Sequence, residues 1–139
     1  MFNDFNHVRI VSSSEYGKFK KDFSYDNVNF VFPKKINNNK VFFIGYLFQN
    51  TYVSFLFVSL EYTTEHGSSL YISYSYTKEN FRNMGFSTKL RNYLINYGFQ
   101  HNFNNIISVP FENANSKSIL EKCGFQKNGN LYKYHINNY

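Results

Sequence analysis

Between Val41 and Leu60 the chain runs for twenty residues without a charged side chain, and no other stretch restricts the fold as strongly. Its length meets the requirement of a membrane-spanning helix, which takes about 20 apolar residues. Gln49-Asn50-Thr51 would then lie at the bilayer centre, and both flanks are built of Val, Phe, Tyr and Ile, which suit a pleated strand. A hairpin of Val41–Phe48 and Thr51–Leu60, turning at Gln49-Asn50, fits this pattern, and a spanning helix does not. The expectation is a sheet protein with no membrane partner.

The remaining segments place helices around such a sheet. Val8–Val11 reads as a first strand, and Ser13 or Ser14 as the cap of a helix carrying Phe19 and Phe23 one turn apart. Asn27–Asn39 reads as a loop with room for a short strand over Val28–Phe32, and Glu61–Ser68 as a second loop. Leu70–Thr77 alternates: Leu70, Ile72, Tyr74 and Tyr76 fall on one face, and Tyr71, Ser73, Ser75 and Thr77 on the other. From Ser87 to His101, Leu90, Tyr93, Leu94 and Tyr97 recur at helical spacing. Ile106–Val109 is a short strand. A helix over Ala114–Lys122 has Asn113 as N-cap and Gly124 as its stop, and Phe125–Asn128 and Leu131–Ile136 turn at Gly129-Asn130. This order predicts an α/β domain of mixed type, residues 1–139, around one mixed, mostly antiparallel sheet.

Composition narrows the partners. The net charge of +6 favours polyanions. The lysines and arginines are scattered, however, so no dedicated nucleic-acid surface is expected. Thirty Phe and Tyr residues, with abundant Asn and Lys, share AT-rich codons, so aromatic content alone says little about function. A single cysteine, Cys123, and four dispersed histidines predict no disulfide and no metal site. His66, in a polar loop, reads as a surface histidine. The opening Met1-Phe2-Asn3-Asp4 lacks a secretory pattern, which makes a cytoplasmic location the expectation. Monomer and dimer both stay open.

Chemistry concentrates at Arg82-Asn83-Met84-Gly85-Phe86-Ser87, between a strand and a helix. A helix start offers unpaired N–H groups and partial positive charge, which bind phosphates. Gly85 lets the backbone approach an anion. Lys89 and Arg91 sit where the helix dipole favours acids, a mismatch that a bound polyphosphate relieves. The same residues also describe an ordinary strand-to-helix turn.

Arg82-x-x-Gly85-x-Ser87 resembles the R/Q-x-x-G-x-G/A signature with which GNAT acetyltransferases hold the CoA pyrophosphate, with Ser in the last small position. Downstream, residues 112–125 (ENANSKSILEKCGF) are similar to a second GNAT motif, in the form found in the ribosomal-protein N-terminal acetyltransferase branch. The resemblance implies an acetyl-CoA-dependent N-acetyltransferase acting on a primary amine: a protein N-terminus, a polyamine or another small amine. Acetyl is transferred by direct attack in a ternary complex. It further implies that amides from Asn83 through Met84, Gly85, Phe86 and Ser87 to Thr88 hold the pyrophosphate, with Arg82 nearby. Tyr76 and Thr77 pair with pantetheine, and Asn113 contacts the CoA arm.

For catalysis, an alkylamine of pKa about 10.4 is neutral only about once in a thousand molecules at pH 7, a deficit of roughly 4 kcal/mol. A base is therefore useful, as is a donor for the departing thiolate. Many GNAT enzymes carry a Tyr donor where this chain has Leu120. Ser116, which matches the Ser of the ribosomal-protein branch, is the candidate at the sulfur. Tyr71 stands where some relatives have an acid, and Glu61 is the nearest carboxylate in layout. The Leu120 departure leaves open a CoA-binding module without turnover. A basic nucleic-acid-binding domain is the other alternative.

Overall fold

A computed structural model describes residues 7–109 and 114–137, with the side chains of residues 114–116 outside the description. Seven strands form one sheet in the order β1-β2-β3-β4-β5-β7-β6. The strands are β1 (Val8–Ile10), β2 (Val41–Phe48), β3 (Thr51–Thr63), β4 (Gly67–Thr77), β5 (Asn105–Ser108), β6 (Gln126–Asn128) and β7 (Leu131–His135). Only β4 and β5 pair in parallel; every other neighbouring pair is antiparallel.

The uncharged run is the β2–β3 hairpin, closed at Phe48↔Thr51. Gln49 and Asn50 both take positive φ, 46° and 65°, so the turn has the twist that right-handed strands require. Among the described residues no helix is long and apolar enough to cross a membrane.

Helix α1 (Tyr16–Asp22) lies on one face of the sheet. Its cap differs from the expectation: Glu15 is the N-cap and no side chain of Ser13 or Ser14 caps the helix, while Ser12 Oγ accepts the Glu15 amide. Phe19, Phe23, Phe43, Tyr52 and Phe55 form the core on this side. Residues 28–32 make no strand; Phe30 and Phe32 instead fold onto that core from a loop. Helices α2 (Phe86–Gln100) and α3 (Ala114–Lys122) cover the opposite face, where Leu90, Leu94 and Leu120 pack on Leu56, Val58, Leu70 and Ile106. Gly124 ends α3 as expected. At φ +95° it lets its own N–H reach the Glu121 carbonyl at 3.0 Å and that of Phe125 reach Leu120 at 3.0 Å, a Schellman closure.

Two departures matter for the site. The Glu61–Ser68 loop is mostly strand: β3 and β4 continue to a tight turn at residues 64–66, which puts Glu61 on β3 opposite Ser69. The alternation read along β4 also breaks. Val58 pairs with Ile72 and Phe57 with Tyr74, so Ser73 is an extra residue, a β-bulge. Beyond it the faces exchange: Tyr74 and Tyr76 join the α1 core, and Ser75 turns toward α2.

Gly45 faces the buried Tyr52 ring, and a Cβ there would lie 2.6 Å from its Cδ1. That ring is held by a 3.1 Å hydrogen bond from its hydroxyl to Glu15. Gly45→Ala is therefore expected to cost about 1–3 kcal/mol by overpacking. Urea denaturation should show a lower midpoint with an unchanged slope, and an unshifted midpoint would contradict this packing.

Candidate active site

β4 and β5 pair only from Ser69↔Asn105 to Ile72↔Ser108. β5 ends there, while β4 runs five residues further to Thr77. The sheet thus opens at the bulge, and among the described residues the β5-facing edge of β4 from Ser73 onward has no strand partner. At the far end of β4 the chain makes a 3-10 turn (Glu79–Phe81) and enters α2 through two left-handed residues, Asn83 (φ 63°) and Gly85 (φ 84°).

The entry has the geometry expected of an anion site. Helix α2 begins without a side-chain cap. Among the described residues no main-chain N–H from residue 83 to residue 88 has a hydrogen-bond partner, and the ladder begins with Lys89 donating to Gly85 at 3.1 Å. Six donors at a positive helix end, two of them on left-handed residues, make a concave nest for an anion.

A cleft of about 640 Å³ lies in front of these donors. Its floor is Ser75, Tyr76 and Thr77 of β4, its rim Phe81, Arg82 and Asn83, and its walls the first turns of α2 and the last of α3, with Ile119 and Lys122. Arg82, Arg91 and Lys122 bring three cations to it, and among the described residues no carboxylate lines it. Arg82 is held across the end of β4, with Nε donating to the Thr77 carbonyl at 2.9 Å and the guanidinium 5.5 Å from the Tyr76 ring centre. Eight of the ten candidate cofactor residues, Tyr76, Thr77, Arg82, Asn83, Gly85, Phe86, Ser87 and Thr88, therefore line this cleft. Met84 is exposed beside it. Asn113 lies outside the described residues.

Sequence reasoning missed Ser75, Phe81, Ile119 and Lys122, and it named Arg91 as a cation relieved by a bound polyphosphate without placing it in the cleft wall. Ser75 was hidden by the bulge. Arg91 follows Ser87 by four residues, and that same-face spacing was its signal.

The catalytic candidates divide between the two faces. Ser116 is on α3, with its side chain outside the described residues. Tyr71 and Glu61 sit on adjacent strands, two register positions apart, since Tyr71 pairs with Ser59 and Glu61 with Ser69. Both face away from α2. Burial, then the charges of Glu61 and Glu65, push the Tyr71 hydroxyl above its usual range, so at neutral pH it is a proton donor and not a base. Leu120 is 1% exposed in the core, so the position many family members fill with Tyr offers no group to the cleft here. Cys123 is half-buried, and burial pushes its thiol up despite Arg91 and Thr88 pulling it down. His66 is not a surface residue: it is buried at the β3–β4 turn, its Nδ1 accepting from the Lys133 ammonium at 3.1 Å.

An open parallel pair beside a nest of helix-end amides defines a protein with an anion-binding geometry at the opened middle of its sheet. Residues 6–125 match the acetyltransferase (GNAT) family, and the chain belongs to that family of acetyl-CoA-dependent N-acetyltransferases. Solved structures share the fold at low identity. The ribosomal-protein-S5-alanine acetyltransferase of Vibrio fischeri is 15% identical, with TM-score 0.74 over 99% of this chain and 96% of that one. NAA60 of Arabidopsis thaliana, solved with a bisubstrate analogue, is 13% identical with TM-score 0.70, covering 94% and 98%. A predicted acetyltransferase of Clostridium acetobutylicum, solved with acetyl-CoA, is 16% identical with TM-score 0.64, covering 88% and 90%. No curated protein matches the sequence.

Proposed function

We propose that this acetyltransferase acts on a primary amine carried by a protein N-terminus, a polyamine or another small molecule, by direct attack in a ternary complex. The observation that carries the reading is the set of six unpartnered amides from residue 83 to residue 88 at the end of an opened β4. Diphosphate on those amides, including those of Asn83, Met84, Gly85, Phe86, Ser87 and Thr88, runs pantetheine along Tyr76 and Thr77 and brings the thioester to the bulge. The relatives solved with acetyl-CoA and with a bisubstrate analogue support this placement by their shared fold.

The amine arrives from the Tyr71 face. Although the chain carries +6 overall, Glu61 and Glu65 both act on Tyr71, so this face is locally acidic and suits an ammonium group. Glu61 takes the amine proton, directly or through water, and the nitrogen lone pair adds to the thioester carbon. A main-chain N–H at the bulge supports the oxyanion. The C–S bond then breaks as the new ammonium nitrogen gives up its second proton and the thiolate takes one up, with Ser116 beside the sulfur and Tyr71 orienting the amine, giving an acetamide and CoA thiol. Cys123, with its thiol pushed up, is a poor acyl carrier, which favours attack without an acyl-enzyme.

Thiol release from acetyl-CoA with a panel of amines tests the reading, and release equal to the amine-free blank across the panel would refute it. Glu61→Gln is expected to lower kcat/KM at pH 7 by about 100-fold, the usual contribution of a general base. The deficit should shrink toward pH 9 as the amine loses its own proton. Glu61 is exposed, so Tm should hold. A variant within twofold of wild type at pH 7 removes Glu61 from this role.

A further inference from the structure

Arg91 is 4% exposed, yet among the described residues it has no carboxylate partner. Its Nη1 donates to the Ser87 carbonyl at 3.3 Å and, by a short bond, to the Ser87 hydroxyl. Nη2 reaches Ser75 Oγ at 3.4 Å, and Nε is buried with no acceptor. Among the described residues of β4 and α3, Ser75 accepts from it, Cys123 acts on it and Lys122 lines the same cleft, and none carries negative charge at neutral pH: the Cys123 thiol is held up by burial. A desolvated cation without a counter-ion is costly, and here the cost falls on a residue that lines the cleft.

The hydrogen bonds say where the missing anion goes. Ser87 Oγ accepts from Arg91, so its own proton is directed elsewhere, and the Ser87 amide is one of the six unpartnered donors. An anion held by that hydroxyl lies two hydrogen bonds from the guanidinium, roughly 5 Å. Resting on the acetyl-CoA reading above, we propose that Arg91 is a positioning residue for the CoA diphosphate. It fixes Ser87 as a hydroxyl donor and sets a buried positive charge behind the helix-end amides, with the diphosphate as its counter-ion. The lowering of the Arg91 pKa to about 10 by burial agrees with an unpaired site and leaves the group charged at pH 7.

Calorimetric titration of Arg91→Met and Ser87→Ala with CoA and with dephospho-CoA tests this. Dephospho-CoA keeps the diphosphate and lacks the 3′-phosphate. Arg91→Met should weaken both ligands equally, by about 10- to 100-fold, or about 1.4–2.8 kcal/mol. Ser87→Ala, which leaves the core untouched, should weaken both by a smaller and equal factor. Ligand-free Tm should hold or rise in Arg91→Met, because a desolvated charge is removed, and inorganic pyrophosphate should raise the Tm of wild type more than that of the variant. Wild-type affinity in both variants overturns the proposal, as does a loss confined to CoA, which assigns Arg91 to the 3′-phosphate. If Arg91→Met fails to fold, Ser87→Ala decides alone. Wild type that binds neither ligand defeats the acetyl-CoA reading itself, whereas wild type that binds both while the variants match it defeats only the role of Arg91.

Discussion

Replacing Gly85 by valine is expected to remove CoA binding and acetyl transfer together while leaving the protein folded. Gly85 sits at φ +84°, a conformation in which a β-branched residue pays about 1–2 kcal/mol of steric strain. Nothing lies within 4 Å of the point a Cβ would occupy, so the ligand-free protein meets no clash, and a Tm loss of roughly 5 °C follows from the strain alone. That empty space is the mouth of the cleft. A side chain there stands where the diphosphate must approach, and any relief of the strain turns the amides of Phe86, Ser87 and Thr88 away from their common focus. Losing two charge-assisted hydrogen bonds at about 1.5 kcal/mol each weakens binding by roughly 100-fold or more. Titration of the folded variant with CoA checks this, and affinity near that of wild type would detach Gly85 from the site.

Much of this was legible because the signals were local. Gln49-Asn50, Gly124 and Gly129-Asn130 each mark a place where the chain must turn or stop, and the structure turns or stops there. The left-handed entry to α2 was legible for the same reason: a glycine between a strand and a helix fixes a backbone shape with little help from distant residues. What stayed hidden depends on pairing across the sheet. The bulge at Ser73 is decided by the register between β3 and β4, and without it Tyr74, Ser75 and Tyr76 were assigned to the wrong faces. Arg91 was visible as a cation in an unsuitable helical position, but its burial comes from α3 closing over it. His66 read as a surface residue because the turn that buries it packs against β7, 67 residues away at Lys133.

The aromatic excess, uninformative as a count, is where the fold keeps much of its stability. Phe19 is fully buried on α1, with the rings of Phe43, Tyr52, Phe23 and Phe55 centred 4.9, 5.2, 5.3 and 5.3 Å from its own. Three of these contacts are edge-on and one is tilted, geometries worth about 0.5–1.5 kcal/mol beyond area burial. Phe19→Ala empties the centre of that cluster. Rings fixed on two strands and the end of α1 cannot collapse into the space, so the expected cost is about 3–5 kcal/mol, a large share of the roughly 5–15 kcal/mol available to a domain. The damage should reach the site, because Phe23 and Phe55 also back Tyr76, whose strand forms the floor of the cleft. Chemical denaturation of Phe19→Ala should show the midpoint falling sharply, with CoA restoring part of the loss by mass action. A cost below about 1.5 kcal/mol would mean that α1 is only draped over the sheet, and that β4 owes its position to α2 and α3 alone.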